Sequence, residues 1–164
     1  MTELRFILLI IHIVAVGLWI GQEGVTFALG RLIKGAAGKP QELTLMNAHL
    51  AAVGFMGGLA GPVVLLTGLG LIWVDGYGLL GIGGGLTPTW LMVKQIVYII
   101  LLILVFGLIT PRVKQYQQAA AAAAASGGAV TPEVRSLWNQ ARTIALIHSA
   151  LVLLNIILAV WKPI

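Results

Sequence analysis

The chain has 164 residues, of which 59% are apolar and 9% charged, with a net charge of +5 and a mean hydropathy of +1.01. A soluble domain carries roughly 25% charged residues, so there are too few here to clothe a water-facing surface, and the composition reads as a single integral membrane domain. The absence of cysteine excludes a disulfide framework, a thiolate metal site and a catalytic thiol. The basic excess sits in the connections, where it reads as membrane topology rather than nucleic-acid binding.

A spanning helix takes about 20 apolar residues. Four stretches qualify in chain order: Leu4–Leu29, Leu50–Val74, Trp90–Ile109 and Thr143–Val160. The first has a basic flank of only Arg5 and no clear small-x-small cleavage site, so it reads as a retained helix rather than a signal peptide. The predicted fold is therefore all-α: a polytopic membrane four-helix bundle over residues 1–164.

The connections orient it. The first carries Arg31, Lys34 and Lys39, and the third carries Arg112, Lys114, Arg135 and Arg142. The second, a Gly-rich segment from Asp75 to Thr89, has no lysine or arginine. The positive-inside rule puts the first and third in the cytoplasm and both termini outside, with Arg5 and Lys162 as weak opposing signals. The cell (inner or cytoplasmic) membrane is the expected location, crossed several times. Trp73, Trp90 and Trp161 fall near the outer ends, where an aromatic belt is expected.

The Gly-rich connection is read as short, and it lacks the lysine-serine pair of a phosphate loop. Thr87-Pro88 and Thr131-Pro132 read as cap and first position of the third and fourth helices. The low-complexity segment at about 115–131 is read as a longer cytoplasmic connection. Its alanine run favours an extension of the third helix, ended by Ser126-Gly127-Gly128.

GxxxG spacings at Gly17/Gly21, Gly54/Gly58 and Gly57/Gly61 predict close helix packing. A dimer face is the competing use of the same spacing. Pro62 is expected to kink the second helix and release a backbone carbonyl.

Polar groups within a span are costly and face its interior. At about 100° per residue, His12, Trp19 and Glu23 share one side of the first helix. His49, Met56, Ala60 and Thr67 share a side of the second, Lys94 and Tyr98 of the third, and His148 and Asn155 of the fourth. Depth separates these residues into two groups. His12, Lys94 and Asn155 form an expected outer cluster. His49 and His148 lie toward the inner side, with Glu23, Asn47 and Arg142 at that boundary. The expected separation of His12 and His49 along the axis is about 13 Å, too far for one metal ion.

Imidazole is a usual haem-iron ligand, and helix-bundle cores are where such sites are built. His12, His49 and His148 are therefore the candidate metal ligands, with His49 and His148 the best matched in depth and Met56 an alternative axial ligand. Histidine with methionine also suits Cu(I). Zinc is less favoured, because no His-x-x-x-His spacing is present. Each histidine has an equally plain structural use as a hydrogen-bonding group between helices. Lys94 is close enough to the surface to snorkel. Nothing resembles a nucleophile with its base.

Four stretches carry a family resemblance. "IHIVAVGLWIGQEGVTFALGRL" resembles the opening helix of the small membrane proteins grouped with the CopD copper-resistance domain and HemJ. "VVLLTGLGLIW" and "TPTWLMVKQIVYIILLIL", with its Trp-x-x-x-Lys, resemble their second and third helices. The closing "LLNIILAVWKP" resembles the uncharacterised DUF2269 branch. HemJ-like proteins are haem-binding protoporphyrinogen oxidases of four or five helices. The resemblance implies functional roles for His12 and Lys94. The stretch after the first helix, "GVTFALGRL", departs from the Tyr/Pro/Arg-rich stretch of HemJ.

The expected function is b-type haem binding, for electron transfer or porphyrin oxidation, with His12, His49, His148, Lys94 and Met56 as cofactor-binding candidates. The alternatives are copper handling, or an accessory subunit of a larger membrane complex whose polar stripes serve packing alone. Lipid is the expected surroundings, a homodimer or larger complex a candidate assembly, and no nucleic-acid partner is expected.

Overall fold

A computed structural model describes residues 2–83 and 85–162. Its elements, in order, are α1 (Thr2–Gly35), α2 (Glu42–Val74), α3 (Thr89–Ile103), a π-helical segment (Leu104–Ile109), α4 (Thr110–Ala125) and α5 (Pro132–Trp161). The stretch Thr89–Ala125 runs as one continuous helix, so four helices are long and apolar enough to cross a membrane. This is compatible with a multi-pass integral membrane protein. The chain forms two compact units, Met1–Leu86 and Thr87–Ile164.

The helices take up much of what the sequence assigns to connections. What remains is residues 36–41, 75–88 and 126–131. The expected length pattern is thus reversed: the Gly-rich connection is the longest of the three. Helix continues through charged and alanine-rich segments because lysine, arginine, glutamine and alanine are all good helix formers, and hydropathy does not report that.

In the first unit α1 and α2 are antiparallel. Arg5 meets Asp75, His12 meets Thr67, and Gln22 lies against Gly57. The buried side of α1 holds Ala15, Trp19, Gln22 and Ile33, and that of α2 holds Met46, Ala60, Val64 and Thr67. Steps of three and four residues between such positions place them on one face of each helix. The outward faces carry exposed Phe6, Ile7, Ile10, Val14, Phe55 and Leu66, as a lipid-facing surface requires. α2 passes through Pro62 without interruption.

The connection between them is capped from both sides. Lys39 Nζ donates to the Gly35 carbonyl at 2.9 Å. Gly38, at φ +76°, donates its N–H to Glu42 Oε2 at 2.8 Å. Glu42 is 1% exposed, and this local bond explains how a carboxylate is accommodated there. The positive φ at residue 38 is a conformation glycine adopts without penalty.

In the second unit the long helix and α5 are also antiparallel. Asn155 Nδ2 donates to the Lys94 carbonyl near one end, and the rings of Tyr116 and Trp138 pack at a 51° tilt, centroids 5.7 Å apart, toward the other. The π-helical segment lies between. Pro111 has no N–H, so the Gly107 carbonyl loses its usual partner four residues on. The Thr110 N–H bonds instead to Val105, five residues back. The wider turn adds one residue to the helical repeat. Buried Val97 and Leu101 precede it, and buried Tyr116, Ala120 and Ala123 follow it. A strict heptad continued from Val97 and Leu101 reaches 115 and 122. The inserted residue moves these two positions onward to the buried 116 and 123, so both halves of the helix face α5.

Thr131 caps α5: its side chain accepts from the Val134 N–H, with Pro132 next, as the sequence suggests. At α3 the start falls one residue later than expected. Pro88 itself is the cap, at ψ 141°, and no side chain caps the helix.

Candidate functional site

The three histidines all lie on interior sides of their helices. His12 and His49 are half-buried, and His148 is 6% exposed.

His12 has the best-defined surroundings. Its Nδ1 is 2.9 Å from Thr67 Oγ1, and Thr67 Oγ1 is 2.6 Å from the Val63 carbonyl, to which it donates. A hydroxyl has one proton. Once that proton goes to Val63, the oxygen accepts from the imidazole. Nδ1 therefore carries the histidine proton, and Nε2 carries the lone pair, the form in which a ring nitrogen binds metal. Gly68 packs beside the ring: a Cβ there would stand 3.5 Å from His12 Cε1.

His49 does not join this site. His12 is level with Thr67, which is separated from His49 by about 27 Å of helix rise. That is about twice the separation expected from the sequence, because α1 and α2 continue well past the apolar spans and are paired in antiparallel register. Met56 lies between the two levels, about 16 Å from Thr67 and about 10 Å from His49. Its methyl group packs toward Gly21, where a Cβ would approach to 3.4 Å. Within the first unit, then, His12, His49 and Met56 occupy three separate levels.

Glu23 is half-buried and Asn47 exposed. α1 runs on through Gly35, so Glu23 lies about 18 Å short of its end.

In the second unit, Lys94 and Asn155 come together as the depth argument expects, through the bond from Asn155 Nδ2 to the Lys94 carbonyl at 3.3 Å. Tyr98 is half-buried and Arg142 exposed. His148 is two helical turns from Asn155 on α5, about 10 Å along the axis. Among the described residues no group of three or more His, Cys, Asp or Glu is arranged to hold a metal ion.

Several residues escape the sequence reading. Gln22 is 6% exposed, and its Oε1 has no hydrogen-bond partner among the described residues. It lies against the Gly57 backbone, where a Cβ would stand 3.0 Å away and where Cα–H groups are the available donors. Its spacing from Ala15 and Trp19 is the signal that could have found it. Tyr116 and Trp138 lie outside the most apolar windows, so a hydropathy scan passes over them. The alanines beside Tyr116 act as small residues that bring α4 close to α5.

No protein-family model, no curated protein and no solved structure matches this chain.

Proposed function

We propose that this chain is a multi-pass membrane protein that holds a b-type haem through Nε2 of His12, for electron transfer or porphyrin oxidation. The observation that supports this reading is the hydrogen-bond chain from His12 through Thr67 to the Val63 carbonyl. An imidazole whose Nδ1–H is held by an acceptor is oriented and made more basic at Nε2, as metal-bound histidines are. The resemblance to the CopD/HemJ group marks the same residue. Gly68 lets the second helix pack directly beside the ring. When bound, the haem supplies the one-electron redox chemistry. The protein's part is to fix one imidazole tautomer between two apolar helices.

The test is the absorption spectrum of the protein purified in mild detergent, oxidised and reduced. Soret and alpha bands that vanish in His12→Ala support the reading. Bands retained in His12→Ala overturn the assignment of the ligand. A featureless spectrum overturns haem binding altogether: with one copper per chain it assigns copper handling, and with neither it assigns an accessory subunit.

A further inference from the structure

Two lysines of the second unit reach the same indole. Lys94 Nζ is 6.0 Å and Lys162 Nζ 5.7 Å from the centroid of the Trp90 ring. Lys94 comes from one turn further along α3. Lys162 caps α5 in the left-handed conformation, at φ +46°. The ring quadrupole attracts each ammonium, but the two like charges repel one another.

Among the described residues of this unit the one carboxylate side chain is Glu133, at the opposite end of α5, about 43 Å of helix rise from Lys162. The Lys94 side chain is half-buried and that of Lys162 exposed, so the pair presents its charge at a boundary. Trp90 and the exposed Trp161 stand at the same end of the helix pair, as aromatic residues do at the level of lipid headgroups.

We propose that Lys94, Lys162 and Trp90 form a binding site for the phosphate of an anionic phospholipid. The two non-bridging oxygens of a phosphodiester accept from the two ammonium groups, and the indole lies along the glycerol region. A lipid is favoured over a soluble anion because the site sits at the end of two lipid-facing helices, where phosphodiesters are concentrated. The inference does not depend on haem.

The test is native mass spectrometry of the detergent-purified full chain with added phosphatidylglycerol, phosphatidylcholine or inorganic phosphate. Lys94→Met keeps the length of the side chain. Lys162→Asn suits the left-handed cap and alters an exposed position, so it serves where Lys94→Met fails to fold. The wild type is expected to retain phosphatidylglycerol in preference to phosphatidylcholine, with affinity falling about fivefold for each lysine removed. Equal retention by the wild type and the double variant overturns the site. An equal loss in Lys34→Asn, in the last turn of α1, also overturns it, because bulk charge then suffices. Displacement of phosphatidylglycerol by inorganic phosphate overturns the lipid assignment in favour of a soluble anion.

Discussion

The imidazole of His12 donates through Nδ1 to the hydroxyl of Thr67, which in turn donates a hydrogen bond to the Val63 carbonyl. The two side chains come from helices that run in opposite directions, and their meeting sets the tautomer of the histidine. Thr67→Val removes the acceptor at nearly constant volume. It is expected to lower haem affinity by about 10–100-fold, whereas Thr67→Ser retains most of it. Haem titration of the three proteins, followed at the Soret band, checks this; equal affinity in all three would sink the proposed role of Thr67.

Gly57 and Gly17 should behave oppositely although both belong to GxxxG spacings. A Cβ at 57 would stand 3.0 Å from Gln22 Oε1, while at 17 it meets nothing within 4 Å. Gly57→Ala is expected to destabilise by about 1–3 kcal/mol. Gly17→Ala should be neutral or slightly stabilising, since alanine is favoured over glycine in a helix by about 1 kcal/mol. Thermal unfolding in one detergent, monitored by circular dichroism, separates them.

The π-helical turn predicts an asymmetry between insertion and deletion. One extra alanine after Gly107 rotates Tyr116, Ala120 and Ala123 by about 100° away from α5. The Tyr116–Trp138 ring contact should be lost, with a shift in tryptophan emission. Deletion of Gly107 combined with Pro111→Ala should instead regularise the helix and keep the stripe. Equal damage from both changes would show that the π turn does not set the register.

Tyr116 is fully buried against Trp138. Its truncation to alanine is expected to cost about 3–5 kcal/mol, the range for a large buried aromatic. Tyr116→Phe should cost far less, because the ring contact survives. Denaturant unfolding of both variants measures the difference.

The Arg5–Asp75 pair, at 2.7 Å, joins the ends of α1 and α2, but both side chains are partly exposed. Asp75→Asn should therefore change stability little, and less still at high salt. Unfolding midpoints at low and high sodium chloride provide the check; a large, salt-independent loss would mean that the pair is shielded from water.

The glycine pattern shows where sequence reading stops. Gly17/Gly21, Gly54/Gly58 and Gly57/Gly61 look equivalent as spacings. Of these six, Gly21 and Gly57 lie close to a neighbouring side chain, while a Cβ at the other four would meet nothing within 4 Å. Which glycines pack depends on how α1 and α2 are rotated against each other, and Trp19, Gln22, Ala60 and Thr67 set that rotation. The histidines show the same division. Their place on interior faces follows from helical periodicity. Thr67 as the partner of His12, and the wide separation of His12 from His49, follow only from antiparallel register.

Composition and periodicity determined by themselves that this chain is helical, apolar and built from four long segments, each with one polar side. These are properties of single helices, and the energetics of backbone and apolar side chains decide them locally. The sequence also marked His12, His49, His148 and Lys94 as residues whose burial requires a reason. Only the tertiary structure decided which polar groups meet. Hydrogen bonds such as His12–Thr67 and Asn155–Lys94, and the convergence of Lys94 and Lys162 on Trp90, depend on the alignment of helices distant in sequence. The extra residue in the π turn is of the same kind: its effect is a rotation, visible only against the neighbouring helix that the rotated stripe must face.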